Sequence, residues 1–293
     1  MAQTTGLYTA MITPFTEDGA VDYGRMARLA VHLVETGHDG LVVSGSTGES
    51  PTLSDTEKLA LYSTVSDAVR GKAVVVAGTG TYDTRHSVEM SKKAADLGVD
   101  AIMAVCPYYS RPSQAGLLAH FLAIADATDL PVMVYNIPIR TARLIEAETL
   151  AEMSAHPNIV ATKDGVGDLQ YTQASLDLLP EGFMLFSGDD SATFPMLEMG
   201  GVGVVSVAGH LAGRQIKRMI EAHQSHDPAE ARRLHDGLMP LFDACFVEPN
   251  PMPVKAGLNA LWEPVGAPRL PLVPASTETR DLVVAAVGRA QRL

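Results

Sequence analysis

GLVVSGSTGESPTLSDTEKLALYSTVSDAVRGKAVVVA, residues 40–77, is one complete structural unit. Gly40–Val43 is a short continuous apolar run, which reads as a strand covered on both faces. Asp55–Val69 carries the pattern of a helix, with Ser54 placed to cap it and Glu57 at the third helical position to complete a capping box. Ala73–Ala77 is apolar again and reads as the next strand. Strand, helix, strand with little between them is the repeating element of a parallel sheet.

The same alternation extends outward in both directions. Further strands are expected at Leu7–Ile12, Ala101–Val105, Val132–Tyr135, Ile159–Lys163, Met184–Ser187 and Gly203–Val207, making eight. Their starts lie about 28 residues apart, the length of a strand, a helix and two short loops. A second helical stretch, Tyr23–Glu35, opens at Asp22. Eight even units fit a closed (β/α)8 TIM barrel better than an open sheet. After the eighth strand comes a helix around Arg214–His223, then Pro228–Cys245, Pro251–Leu261 and Ser276–Arg289, separated by EPNPMP and EPVGAPRLPLVP. The expected organisation is a barrel over 1–226 and a C-terminal helical appendix over 227–293, which could cover the barrel or extend a subunit contact.

Composition narrows the function. The chain has 293 residues, 46% of them hydrophobic, and 22 Lys plus Arg against 34 Asp plus Glu for a net charge of −12. That balance argues against nucleic acid and anionic membrane as main partners. No apolar run approaches the length of a membrane span. The N-terminal MAQTTGLYTAMITPF lacks the basic-then-apolar order of a signal peptide. Two cysteines, Cys106 and Cys245, are too few for a disulfide framework, so a cytoplasmic setting is expected.

In a TIM barrel the active site lies at the C-terminal strand ends. Strand six closes on Lys163, whose stem should emerge within the barrel mouth; a desolvated lysine becomes a usable amine nucleophile. A rim lysine paired with Asp164 or Asp168 is the plainer alternative. Strand five closes on Tyr135, a possible proton carrier or an ordinary core tyrosine. Strand two runs into Ser46 and Thr47 between Gly45 and Gly48, offering hydroxyls and backbone N–H groups to a carboxylate, or merely a tight turn. Arg140, five residues past Tyr135, could clamp a carboxylate or lie on the surface.

Other signals fail. Gly201–Ser206 breaks the dinucleotide fingerprint at its third glycine, and no P-loop is present. The nine histidines show no metal-ligand spacing, so no metal site is expected. Cys106 reads as packing.

Taken together, Thr13-Pro14-Phe15, GSTGES, AGTG (77–80), PYYSRPSQ (107–114), YNIPIRT (135–141), ATKDG, FSGDD (186–190) and PVKAGL (253–258) resemble the pyruvate-dependent class I aldolases. That family holds dihydrodipicolinate synthase and N-acetylneuraminate lyase, and YNIPIRT is similar to the synthase branch. The resemblance spans nearly the whole chain. It implies Lys163 as the imine-forming lysine, Tyr135 as the catalytic tyrosine and Ser46 as a relay hydroxyl where the branch usually has threonine. It also implies Thr47 as a pyruvate-carboxylate contact, and Tyr109 as a relay tyrosine reaching into a neighbouring subunit's site. Arg140 corresponds to the arginine for the carboxylate of aspartate semialdehyde, and backbone at Gly188 and Val205 to the pocket lining.

The implied reaction joins pyruvate to L-aspartate-4-semialdehyde through a Schiff base, in diaminopimelate and lysine synthesis, without a metal or dissociable cofactor. The implied assembly is a homotetramer, a dimer of dimers. The alternatives are an aldolase, lyase or dehydratase of a sugar acid with the same lysine, and a non-catalytic ligand-binding paralogue. Two departures bear on detail. Asp164-Gly165-Val166-Gly167 replaces the commoner Glu-Ala-(Thr/Ser)-Gly, which bears on the fine shape of the second-substrate pocket. Tyr82, His86 and Lys58 stand where lysine-inhibited relatives carry asparagine, glutamate and histidine; only Ser50 and Tyr108 match, so insensitivity to lysine is expected.

Overall fold

The computed structural model describes residues 5–293. Eight parallel strands, β1 (Gly6–Ala10), β2 (Gly40–Val43), β3 (Val74–Gly78), β4 (Ala101–Val105), β5 (Val132–Asn136), β6 (Ile159–Asp164), β7 (Met184–Ser187) and β8 (Gly203–Ser206), pair in sequence order. β8 returns to β1, with Tyr8 opposite Val205, and closes the barrel. The (β/α)8 expectation holds.

Two apolar clusters explain why the strands are apolar on both faces. Alternate residues such as Leu7, Leu41, Val43, Val75, Ile102 and Val134 point outward and pack with the surrounding helices. Their neighbours Tyr8, Val42, Val76, Met103, Met133, Tyr135, Phe186 and Val205 fill the interior. There the Tyr8 and Phe186 rings lie 4.9 Å apart. Gly40 makes room for them, since a Cβ on it would fall 2.4 Å from the Tyr8 ring.

The helices over Tyr23–Glu35 and Asp55–Val69 form as expected, the second with its Ser54–Glu57 capping box. Small boundary differences have local causes. β1 stops at Ala10 rather than Ile12 because the Ile12 N–H turns to His210 Nε2 at 3.1 Å and leaves the ladder. The helix expected at Arg214–His223 begins at Gly209 and runs to Gln224, with a kink at Ala212. It starts early because Ser206 Oγ accepts from the Gly209 N–H at 2.7 Å.

Helices Pro228–Ala244, Met252–Leu261 and Thr277–Ala290 make up the appendix and pack on Gly209–Gln224 and on one another. The segment also lies over the loop after β2. There Lys255 Nζ meets Glu49 Oε1 at 2.6 Å, and Arg269 holds Glu57 at 2.6 Å and the Thr52 carbonyl at 2.8 Å. The appendix lies over one side of the barrel mouth. No helix among the described residues is long and apolar enough to cross a membrane.

Candidate active site

The loop after β2 is held in a conformation it would not choose alone. Ser44 and Glu49 both take left-handed backbone angles, φ 57° and 58°, which cost a non-glycine residue roughly 1–2 kcal/mol each. Anchors from elsewhere offset that cost. Thr13 Oγ1 donates to the Gly48 carbonyl at 2.7 Å, Asn250 Nδ2 to Thr47 Oγ1 at 2.8 Å, and the Arg269 N–H to Glu49 Oε2 at 2.8 Å. Lys255 meets the other Glu49 oxygen, and burial lowers the pKa of its amine to about 8 although Glu49 opposes that shift. Among the described residues, the N–H groups of Ser46 and Thr47 donate to no carbonyl. Backbone N–H groups left without a carbonyl partner can receive an anion.

Lys163 and Tyr135 meet because their strands place them side by side. They are direct partners in the β5–β6 register, and both point inward. The Lys163 amine lies 4.3 Å from the centre of the Tyr135 ring, and both residues are only 4% exposed. Burial is the main reason the lysine pKa falls to about 7; the Asp190 and Asp189 carboxylates pull it upward and Arg140 pushes it further down. A substantial share of the amine is therefore unprotonated and nucleophilic at neutral pH. Burial pushes the Tyr135 phenol up to about 12, against the opposing pull of Arg140 and a hydrogen bond with Ser46. The phenol keeps its proton and can donate it. Lys163 forms no ion pair among the described residues; Asp164 instead accepts from Thr172 Oγ1 at 2.6 Å and from the Val166 N–H at 2.9 Å. The rim-lysine alternative fails.

Above this pair opens a cavity of about 330 Å³. Ser46, Tyr135 and Arg140 stand in its wall with Tyr108, and Pro249, Asn250, Pro271 and Leu272 of the appendix close one side. Arg140 is exposed at the rim, on a short helix of Pro138–Thr141. Lys163, Thr47, Gly188 and Val205 lie outside the immediate wall, and Tyr109 is away from it altogether. Thr47 is 3% exposed within the loop after β2, and Val205 sits in the barrel interior. Gly188 donates to the Asp164 carbonyl at 2.6 Å, an approach that a Cβ would obstruct at 2.8 Å. Tyr109 is 93% exposed, with φ 71°, and does not line the cavity.

Several site residues escape sequence reasoning. Asp190 is fully buried; it accepts from Ser206 Oγ and from the Val207 and Ala208 N–H groups at 2.9 and 3.0 Å, fixing the turn after β8. Asn250, Lys255 and Arg269 come from the appendix. Only the PVKAGL motif hinted at that contribution. The departure at 164–167 proves mostly remote from the cavity, because Asp164 faces the helix Leu169–Leu178. Gly165 alone matters, since a Cβ there would lie 3.4 Å from Tyr135 Cε2. Cys106 is packing as expected: it is fully buried, and burial raises its thiol pKa to about 11. Among the described residues, no cluster of three or more His, Cys, Asp or Glu is placed to hold a metal ion.

The model of the dihydrodipicolinate synthetase family matches residues 3–290. The 4-hydroxy-tetrahydrodipicolinate synthase of Moorella thermoacetica is 49% identical over 281 residues, covering 96% of each chain. That of Synechococcus elongatus is 50% identical over 274 residues, covering 93% of this chain and 92% of its own. Among solved structures, the lysine-bound dihydrodipicolinate synthase of Cyanidioschyzon merolae superposes with a TM-score of 0.97 at 44% identity over all of both chains.

Proposed function

The chain belongs to the dihydrodipicolinate synthetase family, and from that premise we propose that it condenses pyruvate with L-aspartate-4-semialdehyde to 4-hydroxy-tetrahydrodipicolinate. The observation that carries the reading is the buried, partly unprotonated Lys163 amine lying against Tyr135 beneath the cavity.

The Lys163 nitrogen attacks the pyruvate ketone carbon, and loss of water leaves an imine. Loss of a methyl proton gives the enamine, whose carbon attacks the aldehyde carbon. The second substrate's amine then displaces Lys163 and closes the ring. The protonated imine is the electron sink, so the reaction needs neither a metal nor a dissociable cofactor. Tyr135 supplies and recovers protons, and Ser46, hydrogen-bonded to it, carries them outward. The N–H groups of Ser46 and Thr47 and the Thr47 hydroxyl receive the pyruvate carboxylate, with backbone at Gly188 and Val205 completing the lining. Borohydride reduction with pyruvate, followed by a turnover assay with the semialdehyde and with sugar-derived aldehydes, tests this. Turnover only with a sugar-derived aldehyde would assign the site to a sugar-acid aldolase.

Arg140 holds the carboxylate of the semialdehyde, its guanidinium being exposed at the rim of the cavity, where it can make a two-pronged contact. Arg140→Ala should leave the pyruvate imine intact and lower kcat/KM for the semialdehyde by roughly 2–4 kcal/mol, about 30- to 1000-fold. Equal loss of imine trapping would instead give Arg140 to pyruvate or to the fold.

Tyr109 completes the proton relay of a neighbouring subunit, in a cytoplasmic tetramer built from two such dimers. Its exposure and left-handed backbone in an isolated chain support this. Mixed dimers of Tyr109→Phe and Lys163→Ala should recover activity, because one of their two sites combines intact groups from both chains. Inactive mixed dimers would return Tyr109 to its own chain or to no role.

Lysine should inhibit little at millimolar concentration. Lys58 is 7% exposed and adds a cation near the expected effector position, while the His86 imidazole is engaged by Asp55 at 2.9 Å. A titration showing sub-millimolar inhibition would overturn this.

A further inference from the structure

Asn250 joins the appendix to the carboxylate seat. It lines the cavity, is 6% exposed, and begins the turn into the helix Met252–Leu261. Its Nδ2 donates to Thr47 Oγ1 at 2.8 Å, across 203 positions of sequence. Five residues on, Lys255 pairs with Glu49, so one short segment grips both Thr47 and Glu49 of the loop after β2. A threonine hydroxyl has one proton and two lone pairs. Once a lone pair accepts from Asn250, the proton remains available to an acceptor in the site.

We infer that Asn250 is a positioning residue, which holds the Thr47 hydroxyl so that its proton is offered to the carboxylate of the first substrate. The inference rests on the reading of Thr47 as a pyruvate contact. It makes the appendix a working part of substrate selection as well as a cover. A carboxylate at position 250 could only accept from Thr47, drawing the proton away and adding a negative charge beside the substrate's own.

The test is a double-mutant cycle on the full-length protein, with Asn250→Ala, Thr47→Val and both together. It reads kcat and the KM of each substrate. Asn250→Ala should raise the pyruvate KM about tenfold, with smaller changes in kcat and in the aldehyde KM. In the Thr47→Val background it should add nothing. Thr47→Ser keeps the hydroxyl and should preserve sensitivity to Asn250→Ala, while Asn250→Asp should raise the pyruvate KM further than alanine does. Asn250→Ser, too short to reach Thr47, replaces Asn250→Ala if that variant fails to fold. Effects that multiply independently, or equal rises in both KM values, would reduce Asn250 to a wall residue and leave the Thr47 reading standing. An unchanged pyruvate KM in Thr47→Val would overturn both.

Discussion

Lys163→Ala should show no mass increment after borohydride reduction with pyruvate, and its turnover should fall by at least about 10⁴-fold, since the covalent route is lost entirely. Lys163→Arg should fail alike, because a guanidinium stays protonated and cannot form the imine. In the parent protein, trapping should rise with pH through about 7, where the buried amine loses its proton. Unfolding cannot be the cause of the loss. The unfolded lysine holds its proton to near pH 10.5, whereas the folded one releases it near 7. A base with a lowered folded pKa disfavours the folded state below the unfolded value, and neutral pH lies there. Lys163→Met should therefore resist denaturant at least as well as the parent while remaining inactive. An adduct of normal yield on another residue of Lys163→Ala would remove Lys163 from the mechanism.

The legibility of this molecule follows the range of the interactions concerned. The barrel was readable because each strand is a local apolar run covered on both faces, and because the runs recur evenly from Gly40 through Gly203. Lys163 and Tyr135 were readable for a related reason: each ends such a run, so alternation along the strand turns it inward. Contacts between distant segments were not. Nothing local to Asn250 reveals that its amide reaches Thr47, nor does the pattern around Glu49 disclose Lys255 as its partner. Asp190 was hidden by its neighbour, since FSGDD offers two carboxylates. Only the fold decides that Asp189 accepts from Ser191, within its own turn, while Asp190 is buried under β8. β1 ends short of its apolar run because His210, nearly 200 positions away, takes the N–H that would have continued the ladder.

Lowering the pH from 7.5 to 5 should cost the fold about 6 kcal/mol, a large part of the stability of an ordinary domain. His38, His120 and His210 are the main cause, each at most 4% exposed, and burial lowers the His32 and His235 pKa values in the same direction. Burial is the leading reason the pKa values of the first three fall to about 3, 4 and 4 from an ordinary 6.5. His210 shows why protonation is resisted. Its Nε2 accepts from the Ile12 N–H at 3.1 Å, so Nδ1 carries the proton and donates to the Val207 carbonyl at 2.9 Å. A second proton has no place to go without breaking the tie between β1 and β8. The folded pKa values lie below the unfolded one, so the stability is complete above about pH 6.5 and is lost as pH falls toward 4. Each histidine contributes about 1.4 kcal/mol per pH unit in that window. Asp164 and Asp190 work in the opposite sense: burial raises their folded pKa values, so they favour the folded state as acid protonates them. Glu57, held down to about 2 chiefly by Arg269, adds to the acid loss only below its unfolded pKa near 4.5. Urea titrations across pH 7.5 to 5 should therefore show a slope approaching three protons taken up on unfolding. His120→Gln should remove about a third of it, since its Nδ1 partner Thr84 can equally meet an amide. A flat profile over this range would mean that the three imidazoles are not buried in the neutral form.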